Sequence, residues 1–187
     1  GGMSMNHLIE TTKSSEKLFS GRIIDLYLEE VELPNGKTST REIIKHPGAV
    51  AVIAITKENK IVMVQQYRKA MERVLVEIPA GKLEKGEQPE VTAKRELEEE
   101  TGYTTESLQH LLSFYTSPGF ADELVHLYFT EELEILTEKA ELDEDEFVDV
   151  LEVTLEEAQE MIDNQRIFDA KTAYAVQYLQ LKLALQK

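Results

Sequence analysis

The chain has 187 residues, 42% apolar and 30% charged, with 9 Gly, 5 Pro and no Cys. That is enough for one domain plus an arm, and it excludes thiol catalysis, cysteine-type zinc sites and redox switching. The formal charge of −16 argues against a surface that tracks nucleic-acid phosphates. The longest apolar run, Ala49 to Ile55, has seven residues, too few for the roughly 20 that span a bilayer. Gly1 to His7 lacks the basic start and apolar core of a signal peptide, and Gly1-Gly2 reads as a cloning remnant. The expectation is a cytoplasmic protein with no membrane and no nucleic-acid partner.

In chain order, residues 1–16 read as a tail. Loose alternation over Arg22 to Leu33, turn residues at Pro34-Asn35-Gly36 and renewed alternation over Thr38 to Lys45 predict an antiparallel hairpin, placed in an arm over residues 17–46. Ala49 to Thr56 and Ile61 to Tyr67 predict a second, more buried hairpin, followed by a strand over Val74 to Ile78 that Pro79-Ala80-Gly81 stops. Pro89 can open a helix and Gly102 can end it in the left-handed position, so residues 89–101 are expected to be helical. Leu111 to Thr116, Val125 to Thr130 and Phe147 to Val153 read as strands. Thr154 with Glu157 forms a capping box for a helix to Ile162, and Asp169 caps a longer one to Leu185. Strands outnumber helices without alternating regularly with them, which makes the class α+β with mixed sheets and helices packed on them.

Within the helix opened by Pro89, Glu96, Glu99 and Glu100 fall at i, i+3 and i+4 and share one face. Like charges at that spacing repel, and Arg95 offsets only part of the repulsion, so a divalent cation is the natural partner. Carboxylates without Cys or His suit magnesium or manganese rather than zinc. None of His7, His46, His110 and His126 stands at metal-ligand spacing from another. A second concentration of acid lies at Glu131 to Glu160, with 14 acidic residues against the single base Lys139; its plain reading is a solvated face.

Gly81, Glu87, Arg95, Glu96, Leu97, Glu99, Glu100 and Gly102 fit G-x5-E-x7-R-E-U-x-E-E-x-G, where U is aliphatic. This resembles the Nudix box, with Tyr103 where an aliphatic residue usually ends it. The resemblance implies a Nudix fold, mixed sheets sandwiched by helices over residues 47–187, and magnesium-dependent hydrolysis of a nucleoside diphosphate linked to another moiety. It implies Glu96, Glu99 and Glu100 as metal ligands, joined by the backbone carbonyl of Ala80. Glu87 is implied as support for the metal shell and Arg95 as the cation that orients the glutamates.

Pro118 stands 16 residues after Gly102, a spacing that resembles the ADP-ribose pyrophosphatase branch of the family. This implies cleavage of ADP-ribose to AMP and ribose 5-phosphate, with Ser117 to Glu123, including Pro118, Gly119 and Glu123, walling the substrate site. The base that activates water is implied on a mobile acidic loop, here Glu141 to Glu146, with Glu144 the first choice and Glu146 the second. Arg41 and Arg68 are implied as substrate-binding cations, whose planar fork suits phosphate or adenine stacking. Tyr67 and Arg22 are candidates for the adenine pocket, and Glu77 and Glu123 for polar contacts. The branch also implies a homodimer with exchanged N-terminal strands, so that Arg41 serves the neighbouring site. Ile23, Leu26, Leu28 and Val31 would give the hairpin an apolar surface for that partner. Other outcomes are hydrolysis of a nucleotide sugar, NADH or an oxidised nucleoside triphosphate, or a catalytically silent nucleotide-binding module.

Overall fold

A computed structural model describes residues 4–138 and 140–186. Gly1-Gly2 and Lys139 lie outside them. The chain divides into two compact units, residues 1–48 with 115–124 and residues 49–114 with 125–187.

In the first unit, β1 (Thr11–Ser20), β2 (Asp25–Glu32) and β3 (Thr38–Lys45) form one antiparallel sheet in that order. β2 and β3 are the expected hairpin, and Gly36 takes φ +84° in its turn, where a side chain would be strained. β1 is an addition: it begins at Thr11, inside the stretch read as a tail, and all ten of its residues are exposed. The segment 115–124 joins this unit through β3. Ile44 N–H donates to Phe120 O at 2.8 Å, and Ile44 O accepts from Asp122 N–H at 3.1 Å.

The second unit explains the unbroken apolar run at 49–55. β4 (Ala49–Ala54) lies inside a four-stranded sheet ordered β7 (Ala80–Lys82), β4, β10 (Leu124–Thr130), β9 (Gln109–Tyr115). Ala51, Ile53 and Ile55 pack in a core with Ala158, Met161, Ala175 and Val176 of the two C-terminal helices, α2 (Leu155–Asp163) and α3 (Ala170–Leu185). Val50, Val52 and Ala54 pack on the opposite side with Ala93 and Leu97 of α1 (Pro89–Thr101). A strand buried on both faces has no polar face, so alternation disappears.

This arrangement overturns the second expected hairpin. β4 pairs in parallel with β10 and antiparallel with β7. β5 (Ile61–Arg68) goes to a separate antiparallel sheet, between β12 (Asp149–Val153) and β6 (Arg73–Glu77). Only an isolated bridge, Ile55 to Ile61, remains of the expected pairing. β8 (Tyr103–Thr104) and β11 (Glu134–Ile135) form a short extra ladder. The three helices stand at their expected places. α1 runs from Pro89 to Thr101 with Gly102 at φ 76°, and the capping box at Thr154 and Glu157 is complete. No helix among the described residues is long and apolar enough to cross a membrane.

Candidate active site

The site is organised by α1 and the backbone of β7. Ala93 and Leu97 bury one side of the helix, which turns Glu96 and Glu100 toward β7. Both are only 8% exposed. Glu100 Oε2 accepts the Ala80 N–H at 3.2 Å. Burial is the main force on these two carboxylates: it pushes Glu96 up to about 7 and Glu100 up to about 8, with further upward pressure from neighbouring carboxylates.

Arg95 is the local counter-charge. Its Nε and Nη2 donate to the two oxygens of Glu87 at 3.1 and 2.9 Å, while Nη1 donates to Glu96 Oε1 at 3.0 Å and Glu99 Oε2 at 3.2 Å. Thr92 Oγ1 adds a 2.6 Å bond to Glu87. The Arg95 hydrogen bond holds the Glu87 carboxyl below its ordinary value, and Glu87 in turn raises that of Arg95. Glu87 reaches this position through the turn at Gly86, whose φ is +82°.

Among the described residues, no three His, Asp or Glu side chains stand close enough together to hold a metal ion as they are. Arg95 explains part of this, since its Nη1 sits between Glu96 and Glu99. The donor set nonetheless fits a hard divalent cation. Glu96 and Glu100 are buried carboxylates that burial pushes upward, a peptide unit lies against one of them, and no Cys or His is involved.

Gly81 is indispensable to this packing. A Cβ there would overlap Glu96 Cγ, Cδ and Oε1. Gly81→Ala therefore has to push Glu96 off its position, and we expect at least a tenfold loss in the affinity for activating metal, read as the metal concentration giving half-maximal activity.

The acidic loop resolves into two kinds of residue. Glu144 is exposed, whereas Glu146 is half-buried. Glu146 lies near enough to the helix glutamates for its charge to help raise those of Glu96 and Glu100. Burial, then Asp143, raises Glu146 itself.

Arg68 and Glu77 are brought together. Arg68 Nε and Nη2 donate to Glu77 Oε2 and Oε1 at 2.7 and 2.8 Å, and Lys171 Nζ donates to Glu77 Oε1 at 2.6 Å. Burial would raise Glu77, but the Arg68 hydrogen bond and the Lys171 charge outweigh it and bring Glu77 to about 2. Arg68 also feels the charge of Glu100. Tyr67, next to Arg68 on β5, is exposed.

The remaining expected contacts belong to the first unit. Arg41, on β3, is engaged by Glu10 through two bonds of 2.8 Å. Pro118 and Gly119 lie in a turn closed by Ala121 N–H on Ser117 O at 2.9 Å. Glu123 Oε1 accepts from Thr116 Oγ1 at 2.6 Å, and Glu123 Oε2 lies 3.4 Å from His46 Nε2. Arg22 is exposed. Lys171 and Asp169 were not legible as part of the site. A Lys at the second position of a helix carries no local signal, and its partner lies 94 residues away.

Residues 45–175 match the NUDIX domain and residues 10–44 the nucleoside diphosphate sugar hydrolase N-terminal domain. This chain belongs to the Nudix family. The Gly81-to-Gly102 segment that resembles the Nudix box lies within the matched range. The chain is similar to an ADP-ribose pyrophosphatase of Bacillus subtilis, 66% identical over 97% of this chain and 98% of that one. It is also similar to a methanol dehydrogenase activator of Bacillus methanolicus, 63% identical over 95% and 96%. A GDP-mannose pyrophosphatase of Cronobacter sakazakii is 35% identical over 96% and 98%. Among solved structures, an ADP compounds hydrolase has the same fold, with a TM-score of 0.82 at 19% identity over 95% of each chain.

Proposed function

We propose that the protein is a cytoplasmic, homodimeric, magnesium-dependent hydrolase of the ADP-ribose pyrophosphate, yielding AMP and ribose 5-phosphate. The observation that carries this reading is an intact carboxylate face on α1 in a chain 66% identical, over nearly its whole length, to an ADP-ribose pyrophosphatase. Magnesium, with manganese as substitute, would be held by Glu96, Glu99, Glu100 and the Ala80 carbonyl. When bound it supplies charge neutralisation for the diphosphate and a lowered pKa for water. Thr92 steadies Glu87, Glu87 holds Arg95, and Arg95 reaches Glu96 and Glu99 through Nη1 to keep those side chains aligned.

In the reaction, the oxygen of one water bonds to a phosphorus of the diphosphate while the bridging P–O bond breaks. The water's proton goes to a carboxylate of the acidic loop. Within the pair read from sequence, the half-buried position of Glu146 and its bearing on Glu96 and Glu100 favour it over Glu144. Glu146→Gln is then expected to lower kcat at least about a hundredfold, with Glu144→Gln within about threefold of the parent; steady-state rates at saturating magnesium check this, and the reverse ranking reassigns the base.

Arg68 binds the diphosphate with Glu77 behind it, and Tyr67 offers a face to the adenine. Arg41, Pro118, Gly119 and Glu123 are further substrate contacts in this reading, Arg41 serving the site of the neighbouring copy, with residues 17–46 as the arm and 47–187 as the hydrolase domain. The exposure of every residue of β1, with Leu18 and Phe19 more than half exposed, supports a second copy covering it through exchanged N-terminal strands. Light scattering should return twice the 21.3 kDa chain mass.

The deciding assay offers the protein ADP-ribose, GDP-mannose, NADH and 8-oxo-dGTP separately with magnesium, with products resolved by chromatography. Selective release of AMP from ADP-ribose is expected. A preference for GDP-mannose would keep the metal site and overturn the substrate, and no turnover of any compound would point to a silent binding module.

A further inference from the structure

The first turn of α3 grips the end of β6 at two successive residues. Lys171 Nζ bonds Glu77 Oε1 at 2.6 Å and Asp169 Oδ2 at 3.0 Å. One residue on in the chain on each side, just past the end of β6, the buried Thr172 accepts the Ile78 N–H through Oγ1 at 3.2 Å. Asp169 in turn caps the helix by accepting the Thr172 N–H. The strand held this way leads directly into Pro79-Ala80-Gly81, against which Glu96 and Glu100 lie.

Glu77 is nearly inaccessible, with a side chain 3% exposed, while Arg68 is 39% exposed. The Arg68 fork uses Nε and Nη2 on Glu77, and Nη1 makes no hydrogen bond among the described residues. A guanidinium fixed along one edge and free along the other is a preorganised donor for a phosphate. Its position is only as fixed as the carboxylate behind it. Were Glu77 bonded to Arg68 alone, the pair could swing together, and the whole anionic charge would fall on the one cation meant for substrate.

We propose that Lys171 is a positioning residue, which fixes the Glu77 carboxylate and shares its charge so that Arg68 is presented, with Nη1 free, to the phosphates of a nucleoside diphosphate substrate. This rests on the reading of Arg68 as a substrate contact. Lys171 itself touches no reacting atom. Its effect is on substrate binding more than on the chemical step.

The test is steady-state kinetics with ADP-ribose and saturating magnesium on the full chain and its Lys171→Met, Lys171→Gln, Lys171→Arg and Arg68→Met variants, each checked for a cooperative thermal transition. The Met variant is expected to raise KM about tenfold with kcat within about threefold, and Arg to restore KM to within threefold. Gln keeps a donor for Glu77 without the charge, so it remains informative if Met fails to fold, and it is expected to raise KM severalfold. A folded Met or Gln variant with the parent KM overturns the proposal, and so does failure of Arg to rescue a raised KM. If Arg68→Met leaves KM unchanged, the proposal falls through its premise. A KM that depends on Arg68 but not on Lys171 refutes the clamp and leaves the substrate role of Arg68 standing.

Discussion

Glu100→Gln is expected to abolish turnover while making the metal-free protein more stable. The activity loss follows from the proposed ligand set. Removing one carboxylate from a metal site that supplies several kcal/mol of charge stabilisation costs a thousandfold or more in kcat, at about 1.4 kcal/mol per decade. The stability gain follows from burial. Glu100 stands at about 8 in the fold against an ordinary value of 4.5, so between those two values the folded chain holds a proton that the unfolded chain has released. Stability of the metal-free protein therefore falls as pH rises from about 4.5 through about 8, and Glu96, at about 7, adds to the same slope. Gln has the shape of the protonated acid and keeps an oxygen for the Ala80 N–H. In EDTA at pH 8.5 the variant should melt higher than the parent by roughly 5–10 °C, the equivalent of a few kcal/mol for a chain of this size. At pH 4.5 the two should coincide. Magnesium should raise the melting temperature of the parent and do little for the variant. A variant that turns over at the parent rate would remove Glu100 from the metal site, and one that melts lower at pH 8.5 would refute its buried, charge-starved state.

The parts of the site that could be read in advance are those made within one helix and its approach. Glu96 and Glu100 differ by one turn, so spacing alone puts them on one face, while the roles of Glu87 and Arg95 rest on the resemblance and not on their separation. Pro89 and Gly102 mark the ends of α1 by backbone chemistry that works in any context. The strand pairing and the Glu77 cluster differ from expectation for non-local reasons. β4 was expected to pair with β5 because they are neighbours in sequence, yet its register is set by β10 and β7 and by two hydrophobic layers, which no window of residues reveals. β1 escaped notice because a strand exposed throughout needs no apolar alternation. The sequence offers Glu77 only as a candidate polar contact to substrate. Its two cations come from β5 and α3, and only the folded chain reveals that it is a buried anion. Glu144 and Glu146 differ in nothing a sequence records except position, and burial separates them.

Glu77→Ala should be among the most destabilising single changes in the chain. The carboxylate is 3% exposed and anchors Arg68 by two bonds and Lys171 by one. Its removal leaves Lys171 with only Asp169 and leaves Arg68 without a fork partner. Breaking a buried ion pair from one side costs about 3–5 kcal/mol, because the abandoned charge remains in a poorly solvated place. For a domain of this length that lowers the melting temperature by roughly 10 °C at pH 7. The acid limb supplies an independent check. Glu77 stands at about 2 in the fold and 4.5 ordinarily, so the unfolded chain takes up its proton first. Its contribution is complete above about 4.5 and is lost as pH falls toward 2. The gap between parent and variant should accordingly be widest near neutrality and narrow below pH 4. Glu77→Gln, which retains the shape and one acceptor, should fall between them. Equal melting of parent and Ala variant at pH 7 would mean that the two cations find water or other partners without Glu77, and the cluster would then be a surface ion pair rather than a buried anchor of the site.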